Sequence, residues 1–337
     1  MSSALFEALA RLGIAEVDGP DGWRRLVVVR NFSDVPVRYS EAPLGFKFIV
    51  NDERGQPRWF GRCGWDAPAA MRAECALLDA LARDAMTSRH VPEARFTHLE
   101  DTTVQVSRHL GDVAYDRRLR NRTSDQWLRD TAEILTLSED MLVHLHRSAP
   151  SIFCEDPDGY RRDQLGRDLD LLERRGLGTT LVHKLRTVLL SGLDDLPVAL
   201  QHGDLWPANV LRAEDRWWLI DFSECGLMWL PGYDLYLFLV NGPAGFDTSW
   251  IAPSPAAFRQ RWNVTRMKAV QQFAARHGFS AQTMGMLLLH FLVRLTAYRM
   301  RPGVSPRLSA HWQSELVRIG PLLDHGEGLE VLLRPSR

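Results

Sequence analysis

The hydrophobic pattern of this chain changes period once, near residue 110. Before that point it reads mostly as strands. RRLVVVRNF, LGFKFIV and PRWFGRCGW, within residues 24–65, are rich in valine, phenylalanine and tryptophan. Turn residues separate them: Ser33-Asp34, then Asp52-Glu53-Arg54-Gly55. Two shorter strand-like runs follow near 93–97 and 102–108. A single helix interrupts them, with Asp66 and Pro68 at its start and Met71, Cys75, Leu78 and Leu81 at helical steps. Beyond residue 110 the period is helical, over 124–147, 160–192, 254–277, 282–300 and 309–323. The helix over 254–277 is punctuated by Ser254-Pro255 at its start and Gly278 past its end. Strands segregated from helices in this way predict an α+β chain. The expected division is a strand-rich lobe over 1–108 and a mainly helical lobe over 109–337, joined by the short hinge Arg108-His109-Leu110-Gly111.

Composition excludes several classes of partner. The chain has 337 residues and a formal net charge of −1, with 41 basic and 42 acidic residues. That balance removes the global electrostatic argument for nucleic acid or an acidic membrane surface. The four cysteines (Cys63, Cys75, Cys154, Cys225) are scattered, without metal-ligand spacing, and read as reduced thiols. The first residues form a short amphipathic pattern (Leu5, Phe6, Leu9, Leu12) with no basic n-region. The longest apolar stretch, MGMLLLHFLVRLTAY, carries His290 and Arg294 and is too short to span a bilayer. A cytoplasmic protein with no membrane and no nucleic-acid partner is the expectation. One oddity remains: only three of the 41 basic residues are lysines, Lys47, Lys184 and Lys268.

The chemistry is concentrated in QHGDLWPANVLRAEDRWWLIDFSE, residues 201–224. Val198-Ala199-Leu200 and Trp217–Ile220 read as short strands around a loop with Asp204 and Asn209, and Asp221 follows the second strand. Loops at strand ends commonly present reacting groups. Two carboxylates and an amide are oxygen donors that suit a hard cation such as Mg²⁺ better than zinc. An additional aspartate beside such a site can orient or deprotonate a hydroxyl.

This stretch closely resembles the catalytic segment of the aminoglycoside phosphotransferase and choline kinase-like enzymes, small-molecule relatives of the protein kinases. The matching elements are His202-Gly203-Asp204, Asn209, Ile220-Asp221-Phe222 and Pro231-Gly232-Tyr233-Asp234-Leu235. The resemblance implies a bilobal protein kinase-like fold over about residues 24–325. It implies a phosphotransferase that moves the γ-phosphate of ATP or GTP, with Mg²⁺, to a hydroxyl of a small molecule. Carried over position by position, Asp204 would be the catalytic aspartate, and Asn209 and Asp221 the Mg²⁺ ligands. His202 and Asp234 would support the catalytic loop. Trp206 replaces a histidine common in the family and either contacts substrate or packs against the loop.

The first lobe departs from the family pattern. The resemblance calls for a strand lysine on the nucleotide phosphates, paired with a helix glutamate. Glu74 lies between Met71 and Leu78 at helical steps, on or beside the apolar stripe, where a carboxylate needs a partner. The preceding strand, PRWFGRCGW, has no lysine. Arg62 stands at the lysine position if the strand ends at Gly64. Arg58 is the alternative, and Lys47, on the strand before, would need a different register. No glycine-rich G-x-G-x-x-G is present, so Asn31-Phe32-Ser33-Asp34 is the candidate turn over the phosphates. The hinge, 105–111, would give backbone groups to the base.

For the acceptor, residues 235–300 hold one acidic residue, Asp247, against Arg259, Arg261, Arg266, Arg276, Arg294 and Arg299. This favours a sugar or sugar derivative over a polycationic aminoglycoside, unless those arginines only solvate helix faces. Two competing readings are a pseudo-kinase that binds nucleotide or ligand without turnover, suggested by the missing lysine, and a metal-dependent hydrolase.

Overall fold

The computed structural model describes residues 2–14, 25–29, 45–65, 69–99, 102–110, 115, 122–241, 261–300 and 306–323. The chain divides into two compact units: Met1–Val113 with Leu211–Ser223, and Ala114–Val210 with Glu224–Arg337.

In the first unit, helix α1 (Ser2–Arg11) precedes strands β1 (Leu26–Val29), β2 (Gly45–Asn51) and β3 (Pro57–Trp65), helix α2 (Ala69–Arg83), and strands β4 (Ala94–Leu99) and β5 (Thr102–Arg108). The strands form one antiparallel sheet in the order β1-β2-β3-β5-β4. Alternation along each strand gives the sheet two unlike faces. One face contributes Phe48, Val50, Cys63, Val104 and Val106 to a core completed by Leu5, Ala8, Leu9 and Ile14. Gly61 makes room on that face, because a Cβ built on it would lie 2.0 Å from the Phe48 ring. The other face carries Lys47, Arg62 and Gln105 in register across β2, β3 and β5.

Strands β6 (Val210–Ala213) and β7 (Arg216–Leu219) form a two-stranded sheet. Their turn residues, Glu214 and Asp215, both have positive φ (54° and 59°), as a two-residue hairpin turn matched to strand twist requires. This segment is stitched to the first unit at His90. His90 O accepts from Leu219 N at 2.8 Å, and His90 Nδ1 lies 2.8 Å from Trp217 O.

The second unit is helical. It contains α3 (Ser124–Ser148), α4 (Pro157–Arg174), α5 (Thr179–Leu193), α6 (Tyr233–Val240), α7 (Arg261–His277), α8 (Ala281–Arg299) and α9 (Pro306–Ile319). Thr123 and Gln126 close a capping box at the start of α3. Where the pattern over 160–192 suggested one helix, the chain forms two, broken at Gly176-Leu177-Gly178, with Gly176 at φ 91°. Ser254-Pro255, like Asp66 and Pro68, falls outside the described residues. Val198–Leu200 is not a strand. Its neighbours offer two backbone bonds, Ala199 N to Trp229 O and Gln201 N to Met228 O, in place of a continuing ladder. Helix α8 is buried on nearly every side and takes His290 and Arg294 into the interior. Cys63 and Cys75 are buried thiols, and none of the four cysteines forms a disulfide. Among the described residues, no helix is long and apolar enough to cross a membrane.

Two glycines, one on the sheet and one in a helix, set up a contrast in stability. Gly61→Ala should destabilise the protein by about 1–3 kcal/mol, because the Phe48 ring must move. Gly166→Ala, inside α4 with nothing within 4 Å of a built Cβ, should stabilise it by about 0.5–1 kcal/mol. Urea unfolding of both variants measures this, and equal shifts would contradict it.

Candidate active site

In the first unit, Glu74 sits on the buried side of α2 with its side chain 3% exposed. A sealed carboxylate is costly without a partner. Arg62 provides one, its Nη1 donating to both Glu74 oxygens at 3.0 Å. Burial pushes the Glu74 carboxyl up, Arg62 pulls it down most strongly, Asp221 pushes it up further, and Lys47 pulls it down. Asp221 Oδ1 lies 3.7 Å from Arg62 Nη1 and accepts from Ser223 Oγ at 2.8 Å. Asp221 has φ 63°, a left-handed conformation uncommon outside glycine and concentrated at functional sites. Three sequence candidates, Arg62, Glu74 and Asp221, therefore meet. Arg58 does not join them; it is exposed, within electrostatic reach of Asp52 at the β2–β3 turn. Lys47 needs no other register, since it stands directly opposite Arg62. Residues 31–34 and Gly111 lie outside the described residues.

In the second unit the loop of Asp204 is held from behind. Asp234, in the first turn of α6, accepts from His202 N at 2.7 Å and Gly203 N at 2.9 Å. Its own N–H donates to Gln201 Oε1 at 3.3 Å. Burial pushes the Asp234 carboxyl up to about 7, against the pull of those two backbone donors. Gly203 is obligatory here: its φ is +81°, and a Cβ would lie 2.6 Å from Glu224 O. His202 is fully buried, and its Nδ1 accepts from Asp204 N at 3.4 Å. Asn209 donates through Nδ2 to Asp204 O at 2.9 Å and to Asp204 Oδ2 at 2.8 Å. Asn209 Nδ2 is thus engaged by Asp204 through both contacts, and Oδ1 is the acceptor end of the amide. Trp206 is half-buried, and its carbonyl accepts from Asn209 N.

Asp204 and Asn209 in the second unit, and Asp221 in the first, each present hard oxygen atoms of the kind a divalent cation such as Mg²⁺ takes. Among the described residues no group of three or more His, Cys, Asp or Glu side chains could hold a metal alone.

Also in the second unit, a small cavity lies between α4, α8 and residues 227–230. One wall is apolar, with Leu165, Leu227, Met228, Trp229 and Leu230; the other carries Tyr160, Arg161, Gln164, Asp168, His290 and Arg294. Asp168 accepts from Arg294 Nη1 at 3.0 Å and from Gln164 Nε2 at 2.9 Å. His290 Nε2 and Arg161 Nε are buried without a hydrogen-bond partner. The arginines read as a basic surface are thus partly compensated from other helices: Arg294 by Asp168, and Arg276 by Glu139 and Asp140. Arg266 is fully buried, and Arg259 lies outside the described residues. The sequence carried a signal for the Asp168–Arg294 pair, because a charge inside an apolar helix run must find a partner.

Three comparisons bear on this arrangement. The model of the phosphotransferase enzyme family matches residues 46–270. A search of curated proteins returns no match. Among solved structures, the chain is similar to a thermostable mutant of aminoglycoside phosphotransferase APH(4)-Ia in ternary complex with AMP-PNP and hygromycin B, at 16% identity over 89% of this chain and 94% of that one, TM-score 0.57. It is similar to the amicoumacin kinase hAmiN in complex with AMP-PNP, Ca²⁺ and Ami, at 14% over 98% and 97%, TM-score 0.54. It is also similar to choline kinase from Cryptosporidium parvum Iowa II, at 11% over 96% and 99%, TM-score 0.54. At these identities the likeness establishes the fold, strand-rich first and helical after, as the periodicity indicated.

Burial pushes the His290 imidazole down to about 3, with Arg161 adding to the shift. The folded state keeps it neutral while the unfolded chain protonates below about 6.5, so this stability is present above 6.5 and lost as pH falls toward 3. Unfolding free energies measured from pH 7 to 4 should fall less steeply for His290→Leu than for the wild type; parallel slopes would contradict this.

Proposed function

We propose, from the premise that this chain belongs to the phosphotransferase enzyme family, that it transfers the γ-phosphoryl group of ATP to a hydroxyl of a small molecule. The observation that carries this reading is the Asp204–Asn209 pair on a loop tied down by Asp234. Asn209 occupies Asp204 Oδ2. Asp204 orients the acceptor hydroxyl and takes its proton as the hydroxyl oxygen attacks phosphorus. Asn209 Oδ1 and Asp221 would hold Mg²⁺, whose chemistry is to neutralise charge on the donor phosphates. His202 and Asp234 keep the loop's shape. The strand-rich unit is the proposed nucleotide-binding part, with Arg62 and Glu74 as its central ion pair. That intact pair favours turnover over a binding-only role.

The acceptor reading rests on the cavity in the second unit. Its charges are paired, and it sets an apolar wall against hydroxyl, amide and imidazole groups. That combination suits an uncharged polyhydroxyl compound such as a sugar, with an apolar ring face and a hydroxyl edge. A polycation would find in that lining one carboxylate, Asp168, and Arg294 is already paired with it.

The test is phosphate transfer from Mg-ATP to a panel of neutral sugars, amino alcohols and aminoglycosides. Transfer to a neutral sugar is expected. Asp204→Asn should lower kcat by about 10²–10⁴ with folding intact by circular dichroism. Unchanged turnover in that variant would remove Asp204 from its role, and transfer confined to aminoglycosides would overturn the acceptor class.

A further inference from the structure

The β3 cation is an arginine, and its guanidinium is already engaged. Arg62 Nη1 is shared between both oxygens of Glu74 and, at 3.7 Å, Asp221. A planar fork fixed by a buried carboxylate has its direction set by that carboxylate. A second cation stands beside it. The pairing of β2 with β3 puts Lys47 opposite Arg62. Directly opposed residues of an antiparallel pair project from the same face, with Cβ atoms about 4.5–5.5 Å apart. The Lys47 ammonium lies 5.7 Å from the centre of the Phe60 ring, two residues before Arg62, so its stem runs along this face. It acts on Glu74 as well, joining Arg62 in favouring the charged form of that carboxylate.

Charge and shape divide the work between the two. Glu74 and Asp221 place two negative charges beside Arg62, and Lys47 adds a second positive charge on the same face of the sheet. A lysine ammonium is a compact point charge with three rotatable donors, suited to a phosphate oxygen whose position is not fixed by the protein. The composition points the same way. In a chain where three of 41 basic residues are lysines, the other two, Lys184 and Lys268, lie on α5 and α7 of the second unit.

We propose that Lys47 on β2 is the residue that contacts the donor's phosphates, and that Arg62 is a positioning residue that holds Glu74 and with it α2. This assignment rests on the phosphotransferase reading above. It is tested by calorimetric titration of the full chain with Mg-ATP and with adenosine, which lacks the phosphates. Lys47→Met should weaken Mg-ATP binding about ten- to a hundredfold and leave adenosine binding unchanged. Arg62→Met should lower the melting temperature and weaken both ligands together, with the ratio of their affinities kept. Lys47→Gln serves where the methionine variant does not fold, as judged by its melting transition. If the wild type binds Mg-ATP and the Lys47 variants bind it equally well, the assignment falls and the phosphotransferase reading stands. If the wild type binds neither ligand, both fall.

Discussion

The loop that carries Asp204 depends on a carboxylate sealed from water. Asp234 is 5% exposed, and an ion so placed costs several kcal/mol unless hydrogen bonds replace its hydration. The backbone N–H groups of His202 and Gly203 supply them. The dependence runs both ways, because those two donors are themselves buried in the loop and would be costly without an acceptor. Once they are fixed, Gly203 takes its left-handed turn against Glu224, and Asp204 and Asn209 fall within hydrogen-bond distance. The Asp204–Asn209 pair is thus positioned from behind, by a buried carboxylate and two backbone amides.

The first unit repeats the device with different parts. Glu74 is another sealed carboxylate, and the Arg62 guanidinium satisfies it across the gap between α2 and β3. In both places an expensive buried charge fixes geometry, because few arrangements satisfy it. The Asp168–Arg294 pair, inside the second unit, is a third example. These three pairs explain why charged residues sit within runs that otherwise read as apolar.

Much of this was legible in residue order. The α+β division followed from period alone, and β4 and β5 were found to within about two residues. Glu74 was legible because a carboxylate at a core step of a helix demands a partner. Asp204, Asn209 and Asp221 were legible only as a motif, since no periodicity distinguishes a reactive loop from a turn. Register was not legible. Whether Lys47 or Gly45 faces Arg62 depends on how two strands slide past one another, and a one-residue slip would have turned Lys47 to the apolar face. Long-range compensation was equally hidden. Arg276 and Arg294 looked like unbalanced charge because their carboxylates, Glu139 and Asp168, are on helices more than a hundred positions earlier. Val198–Leu200 failed as a strand for a related reason, since strand composition does not guarantee a partner with a matching edge.

The seam at His90 has a consequence for how the chain is made. Its partners on β7 lie up to 129 positions downstream, at Trp217 and Leu219. A ribosome that has released the five-strand sheet has therefore not yet delivered the hairpin that satisfies His90 or the aspartate that approaches Arg62. The unit begun first is finished only after the whole of α3, α4 and α5 has been synthesised. A fragment cut at the natural-looking boundary near residue 110 would leave the His90 carbonyl and imidazole without their partners. A fragment of the first unit that keeps these partners must include residues 211–223 as well as the sheet.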